Sequence, residues 1–195
     1  MNQLLKWLKE GDLTSDGFAN EVVSLVEGDL TLMDDLIQCL EDDSDVVRGH
    51  TADALEKLTR ANPAEMKSHL QTFIRSAQED PVAMVRWHMA MILGHLSMYR
   101  DWVGESTEVL IVLLSDKSVF TISWSIVSLC IIARQYPAKV DEIVRAVAPL
   151  EASSSTAIRS KVRHALPILT DNRTPFPKGW IKSEILQQNP VLHSS

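Results

Sequence analysis

Four stretches of this chain repeat one apolar pattern, and that pattern limits the available folds more than any other feature. Val47, Thr51, Ala54, Leu55 and Leu58 stand at offsets 0, +4, +7, +8 and +11. The same offsets recur at Val85, Met89, Ile92, Leu93 and Leu96, and at Ile122, Ile126, Leu129, Cys130 and Ala133. They recur again at Ile158, Val162, Ala165, Leu166 and Leu169, so that successive starts lie 38, 37 and 36 residues apart. Steps of three and four residues gather side chains on one face of a helix with 3.6 residues per turn. Almost no stretch alternates with period two, which argues against a sheet. A fixed template at this period is the signature of a solenoid, in which each unit buries its apolar face only by stacking on the next.

A shorter helix is predicted between successive templates, over Leu32–Leu40, Ala64–Ala77, Trp102–Leu114 and Ala138–Val147. Breakers separate the pairs: Asn62-Pro63, Asp80-Pro81, Tyr136-Pro137 and the run Ser153-Ser154-Ser155. Aspartate and serine at such places accept the free amide hydrogens of a helix's first turn. The unit is therefore a first helix, a tight turn and a second helix that carries the template. Residues 1–29 read as a degenerate cap with helices around Gln3–Lys9 and Gly17–Glu27, and residues 30–170 as four repeats. Residues 171–195 read as a tail with a short helix over Trp180–Gln188 and a frayed end from Asn189.

The turn has its own pattern. Asp80-Pro81-Val82-Ala83-Met84-Val85-Arg86 leads into one second helix, and Asp42-Asp43-Ser44-Asp45-Val46-Val47-Arg48 leads into another with the same spacing. Arg159 follows Ile158 without the aspartate, and the third unit has Asp116 one place early with Ser123 in place of arginine. On these residues the chain resembles the HEAT-repeat, armadillo-like family over about residues 30–170. The resemblance implies an all-α fold: a right-handed α-α superhelix of about five helical hairpins, whose second helices line a concave surface that holds partners. It also implies that the aspartates and arginines link neighbouring repeats, so Asp80 and Arg86 are read as structural.

Composition narrows the function. Of 195 residues, 45% are hydrophobic and 23% charged, an ordinary balance for a globular chain. Cys39 and Cys130 cannot make a disulfide-dense scaffold. No apolar run is long enough to span a bilayer. The charges inside the apolar start make a poor signal peptide, so a cytoplasmic location without membrane contact is expected. The net charge of −7 is unevenly spread: two lysines face twelve acids in residues 1–45, whereas six basic residues face Asp171 alone in residues 156–182. Opposite ends of this kind could pair between molecules, giving end-to-end self-association, or steer a partner.

On a helical wheel the side opposite the template carries Gly49, Asp53, Glu56 and Arg60, then Trp87, Met91, Gly94 and Met98. It continues with Trp124, Ser128, Ile131 and Gln135, then Ser160, His164, Pro167 and Asp171. Trp87 and Trp124 share a phase in adjacent repeats, so their indoles are expected to be neighbours. With Met91, Met98 and Ile131 they form a candidate partner-binding strip, flanked by Asp53 and Glu56. The alternative is that the C-terminal tail, with Trp180, fills the same surface.

No chemistry stands out. There is no cysteine pair with zinc spacing, no Gly-rich phosphate loop and no nucleophile motif. HEAT-built deoxyhypusine hydroxylases bind iron through His-Glu pairs, and this chain has no His-Glu dipeptide. HEAT-like alkylpurine DNA glycosylases pair Trp and Asp one turn apart, whereas Trp87 and Trp124 are followed by Met91 and Ser128. The expected function is a non-enzymatic scaffold, without cofactor or metal, that binds a protein or peptide partner. The alternative is a nucleic-acid-binding or repair protein using Arg159, Lys161 and Arg163, which the acidic net charge disfavours.

Overall fold

The computed structural model describes residues 3–192. The described residues contain eleven α-helices and no strand. Helices α1 (Gln3–Leu8) and α2 (Ala19–Gly28) lead into four hairpins. These are α3 (Met33–Gln38) with α4 (Asp45–Ala61), α5 (Leu70–Glu79) with α6 (Ala83–His95), α7 (Val103–Leu113) with α8 (Val119–Gln135), and α9 (Val140–Val147) with α10 (Thr156–Thr170). A last short helix, α11 (Glu184–Gln187), lies in the tail. The first helices are shorter than their sequence suggests because 3-10 turns precede them, as at Pro63–Met66 and Pro137–Lys139. Proline suits that position, where its missing N–H has no helical partner in any case.

Helices α2, α4, α6, α8 and α10 pack side by side in one layer, and α5, α7 and α9 form a second layer behind them. The template explains this arrangement. Every template residue is buried except Leu166, which is half-buried, and the apolar ones all pack in one continuous core. Burying a Val, Leu, Ile or Met side chain stabilises by roughly 1.5–3 kcal/mol, so the repeated face drives the stacking.

The start of each second helix is set by a polar frame. The Asp42, Asp80 and Asp116 carboxylates accept from the amides of Ser44, Val82 and Ser118, at 2.9, 2.8 and 2.6 Å. Ser153 plays the same part for the amide of Ser155, at 3.3 Å. Each frame residue stands three positions before its helix. The frame corrects the sequence reading of the third unit: Asp116 is not early. The template of α8 instead begins at Thr121 and runs through Ser125, Ser128, Leu129 and Ile132, all buried. The apolar residues Ile122, Ile126 and Cys130 lie beside that track and are buried as well, which is why the pattern looked one residue later.

The arginines join neighbouring repeats. Arg48 Nε donates to Asp80 at 2.8 Å, and Arg86 Nε and Nη2 donate to Asp116 at 2.6 and 3.1 Å. At the next boundary both partners change together: Ile122 holds the arginine position and Ser153 the aspartate position. Among the described residues Arg159 bonds only within its own turn, to the carbonyls of Ser153 and Ser154 at 2.6 and 2.9 Å and to the Thr156 hydroxyl at 3.1 Å.

Candidate functional site

The inner face of the α4–α6–α8–α10 layer is narrower than the helical wheel implies. Helices α4, α6 and α8 each have a neighbour on both sides, so residues beside the template are buried laterally. Gly94 shows how close the approach is: a Cβ there would lie 2.3 Å from Ser128 Oγ, which donates to the Ala90 carbonyl at 2.7 Å. Met91 and Ile131, placed on the strip by sequence, are 3% and 1% exposed and belong to the packed interior. Met98 is half-buried against the same core.

Asp53 and Glu56, placed on the flank, are also buried, and their charges are met within the chain. Glu56 accepts from His95 Nε2 at 2.8 Å and from both Nε and Nη2 of Arg60, the Nε contact at 2.9 Å. Burial pushes this carboxyl up, but the hydrogen bonds from His95 and Arg60 outweigh it and hold it at about 2. Asp53 lies 2.9 Å from Lys57 Nζ and 3.4 Å from His88 Nε2. Burial raises its carboxyl, but its polar surroundings outweigh that and hold it below the usual carboxylate range.

Trp87 and Trp124 are half-buried. They are not ring partners, because the corrected register of α8 puts Ser123, not Trp124, opposite the position of Trp87. The ring that meets Trp87 across the boundary is Phe120, with centroids 5.0 Å apart. Phe120 is 62% exposed and was missed by the sequence reading because it lies outside the template. Its available signal was the pair Val119-Phe120 in the first turn after the Ser118 cap, two large apolar residues where the frame directs side chains outward. The indole N–H of Trp87 turns inward to His88 Nε2 at 3.2 Å, while His88 Nδ1 lies 2.9 Å from the Met84 carbonyl. Trp87 thus offers only apolar ring surface outward, beside Phe120.

Trp124 faces the other half of the groove. Lys161 and Lys182 hold their ammonium groups 5.8 and 4.7 Å from its ring, within cation–π range. Lys182 belongs to the tail, which lies across the inner face. Leaving α10, the tail meets Arg134, whose Nη2 donates to the Thr174 carbonyl at 2.7 Å and whose guanidinium stands 5.0 Å over Phe176. A turn closed by Trp180 N to Pro177 O at 3.2 Å, with Gly179 at φ +83°, then reverses the chain. Trp180 packs between Phe176 and His164, with Lys161 4.8 Å over its ring, and is 7% exposed. Ser183 reaches α4, its hydroxyl donating to the Arg60 carbonyl at 3.3 Å. Helix α11 packs on α4, and the 3-10 turn Pro190–Leu192 returns to α8 with Leu192 buried. The chain from Asn189 to Leu192 is therefore packed rather than frayed, and residues 193–195 lie outside the described residues.

Among the described residues no cluster of three or more His, Cys, Asp or Glu could hold a metal ion, and no helix is long and apolar enough to cross a membrane. Cys130 is fully buried in the core, and burial pushes its thiol far above its usual range.

No family model and no curated protein matches the chain. Solved structures do. A computationally designed armadillo repeat protein for modular peptide recognition superposes with a TM-score of 0.64 at 16% identity, covering 85% of this chain and 80% of its own. An engineered protein gives a TM-score of 0.63 at 17% identity over 85% of this chain and 79% of its own. A designed armadillo repeat protein in complex with the peptide (KR)4 gives 0.62 at 17% identity over 85% and 80%. At these identities the likeness is one of fold: the chain is an all-α, armadillo-like helical-repeat solenoid.

Proposed function

We propose that this chain is a non-enzymatic interaction module that holds a peptide or helix of a partner protein on its inner face, against the rim made by Trp87, Phe120 and Trp124. The observation that carries the reading is the Trp87–Phe120 pair. Two aromatic rings meet across a repeat boundary with the polar atom of one turned inward and most of the other exposed. Exposed aromatic surface on a rigid scaffold suits recognition, because a large contact area is ordered at little entropic expense. Met91 and Ile131 support the rim from beneath, and the paired Asp53 and Glu56 hold α4 in place behind it. The solenoid designed for peptide recognition and the one bound to (KR)4 give the reading precedent in fold.

The test is selection of peptides from a displayed library on the full chain, followed by titration of the winners against Phe120→Ala and Trp87→Ala. The expected result is at least a tenfold loss of affinity for both variants. Unchanged affinities in folded variants would remove the rim from the binding surface. The nucleic-acid reading draws no support from the packing of the basic end, where Arg159 is bonded to its own turn and Lys161 lies over two indoles.

A further inference from the structure

We propose that residues 176–183 are an internal ligand. They occupy part of the partner-binding face in cis, and the partner segment that displaces them carries their chemistry: an aromatic residue, an aliphatic residue and a lysine or arginine in succession. This rests on the reading of the inner face as the binding surface.

Trp180, Ile181, Lys182 and Ser183 make the kinds of contact that a bound peptide makes. Trp180 enters between His164 and Phe176 under Lys161. Ile181 is buried beside it. Lys182 holds its ammonium 4.7 Å over the Trp124 ring; burial lowers its pKa, and the acids Glu56 and Asp53 that favour its charge are opposed by Arg60 and Lys57. The Trp124 ring gives that position an aromatic floor that suits a cation. Ser183 ends the segment with a hydrogen bond to the Arg60 carbonyl.

The hold is also of a displaceable kind. Among the described residues no ion pair links the segment to the repeats; it is kept by the burial of Trp180 and Ile181, by ring contacts, three cation–π pairs and one hydrogen bond. Upstream, Arg134 is 7% exposed and donates one bond to the Thr174 carbonyl, but its Nε and Nη1 find no acceptor. A buried guanidinium with unmet donors is a penalty that the tail leaves in place. A partner bringing a further acceptor to Arg134 would fit this groove better than the chain's own tail does.

The experiment uses the full chain. A fluorescein-labelled peptide with the sequence of residues 174–192 is titrated into the wild type and into Trp180→Ala/Lys182→Ala, with circular dichroism reporting the fold of each. The expected result is binding at least tenfold tighter to the variant than to the wild type, lost again when Trp124→Ala is added. Absence of binding to a folded variant would make the tail a structural cap and overturn the proposal. Hydrogen exchange on the wild type decides the matter should the variant not fold. Amides of residues 180–187 opening well before those of α4 and α8 are expected, and opening only with global unfolding overturns it. Wild-type dimers in light scattering, with the tail crosslinked between copies, would make the occupant a second copy and also overturn it. The two readings fail separately. If library-selected peptides remain sensitive to Phe120→Ala while the tail peptide does not bind, only the internal ligand falls; the reverse outcome removes only the rim.

Discussion

The boundaries α4/α6 and α6/α8 are closed differently from α8/α10. The first two carry the clasps Arg48–Asp80 and Arg86–Asp116, each held within a few ångströms of a helix start. Beneath the first lies the buried Glu56–His95 pair, which joins α4 to α6. The third boundary has Ile122 and Ser153 at the clasp positions, and the tail crosses it instead, with Arg134, Phe176, Trp180 and Lys161 in one stack of rings and cations. The two halves solve the same problem with different chemistry. Directional charge pairs fix the register at the first two boundaries. Stacked aromatic contacts serve where the chain itself covers the layer.

The largest test of this contrast is at Glu56. Replacing it by alanine leaves His95 and Arg60 without their shared acceptor and should destabilise by about 3–5 kcal/mol. For a chain of this length that lowers the melting temperature by on the order of 10 °C, read by calorimetry. Because the folded carboxyl sits at about 2 against an ordinary 4.5, its contribution is complete above about pH 4.5 and is lost as pH falls towards 2. The wild type should lose on the order of 3 kcal/mol through that window, and Glu56→Gln should lack this acid limb.

Next in size is Gly94→Ala, which forces a Cβ against Ser128 Oγ, Cβ and backbone. An expected loss of about 1–3 kcal/mol would show that α6 and α8 cannot separate to admit it. A neutral result in chemical denaturation would mean that the clasped boundary is softer than its contacts imply.

The clasp itself can be exchanged. Arg86→Ile alone should cost about 1–2 kcal/mol, because Asp116 loses two charge-assisted hydrogen bonds in a partly buried site. Adding Asp116→Ser, which copies the Ile122 and Ser153 pairing, should recover at least half. A double-mutant cycle with no coupling would mean that the paired change at the third boundary is unrelated to the clasp. The smallest effect is at Phe120. With its ring mostly exposed, Phe120→Ala should move stability by less than about 0.5 kcal/mol while weakening peptide binding.

The helical hairpins were legible because the template is local: five apolar residues within three turns specify a helix and its buried side without reference to the rest of the chain. The inner face was less legible. Assigning Met91, Ile131 and Glu56 to it treated each helix as packed on one side only, whereas α4 and α6 are flanked on both. The register of α8 was misread because Thr121, Ser125 and Ser128 are polar residues on the buried track. Two of them satisfy their hydroxyls by bonding helix carbonyls, Ser125 to Thr121 and Ser128 to Ala90. The constant distance from Asp116 to the helix start was the better guide, since a cap is fixed by backbone geometry and an apolar arc is not. Trp180 was legible as a candidate for filling the groove, but its route across α8 to α4 depends on contacts far apart in sequence.

The hydrogen bond from Ser183 to Arg60 joins residues 123 positions apart and has a consequence for how the molecule comes apart. An open solenoid is a line of neighbours: either end can fray without the other, and the array can stretch like a spring. A chord from the tail back to α4 converts that line into a closed circuit. While the chord holds, fraying of α10 is coupled to α4; once the tail opens, the array becomes a line again and its ends fray separately. Closing so long a loop is entropically slow, which places the chord among the last contacts made in folding and the first released under load.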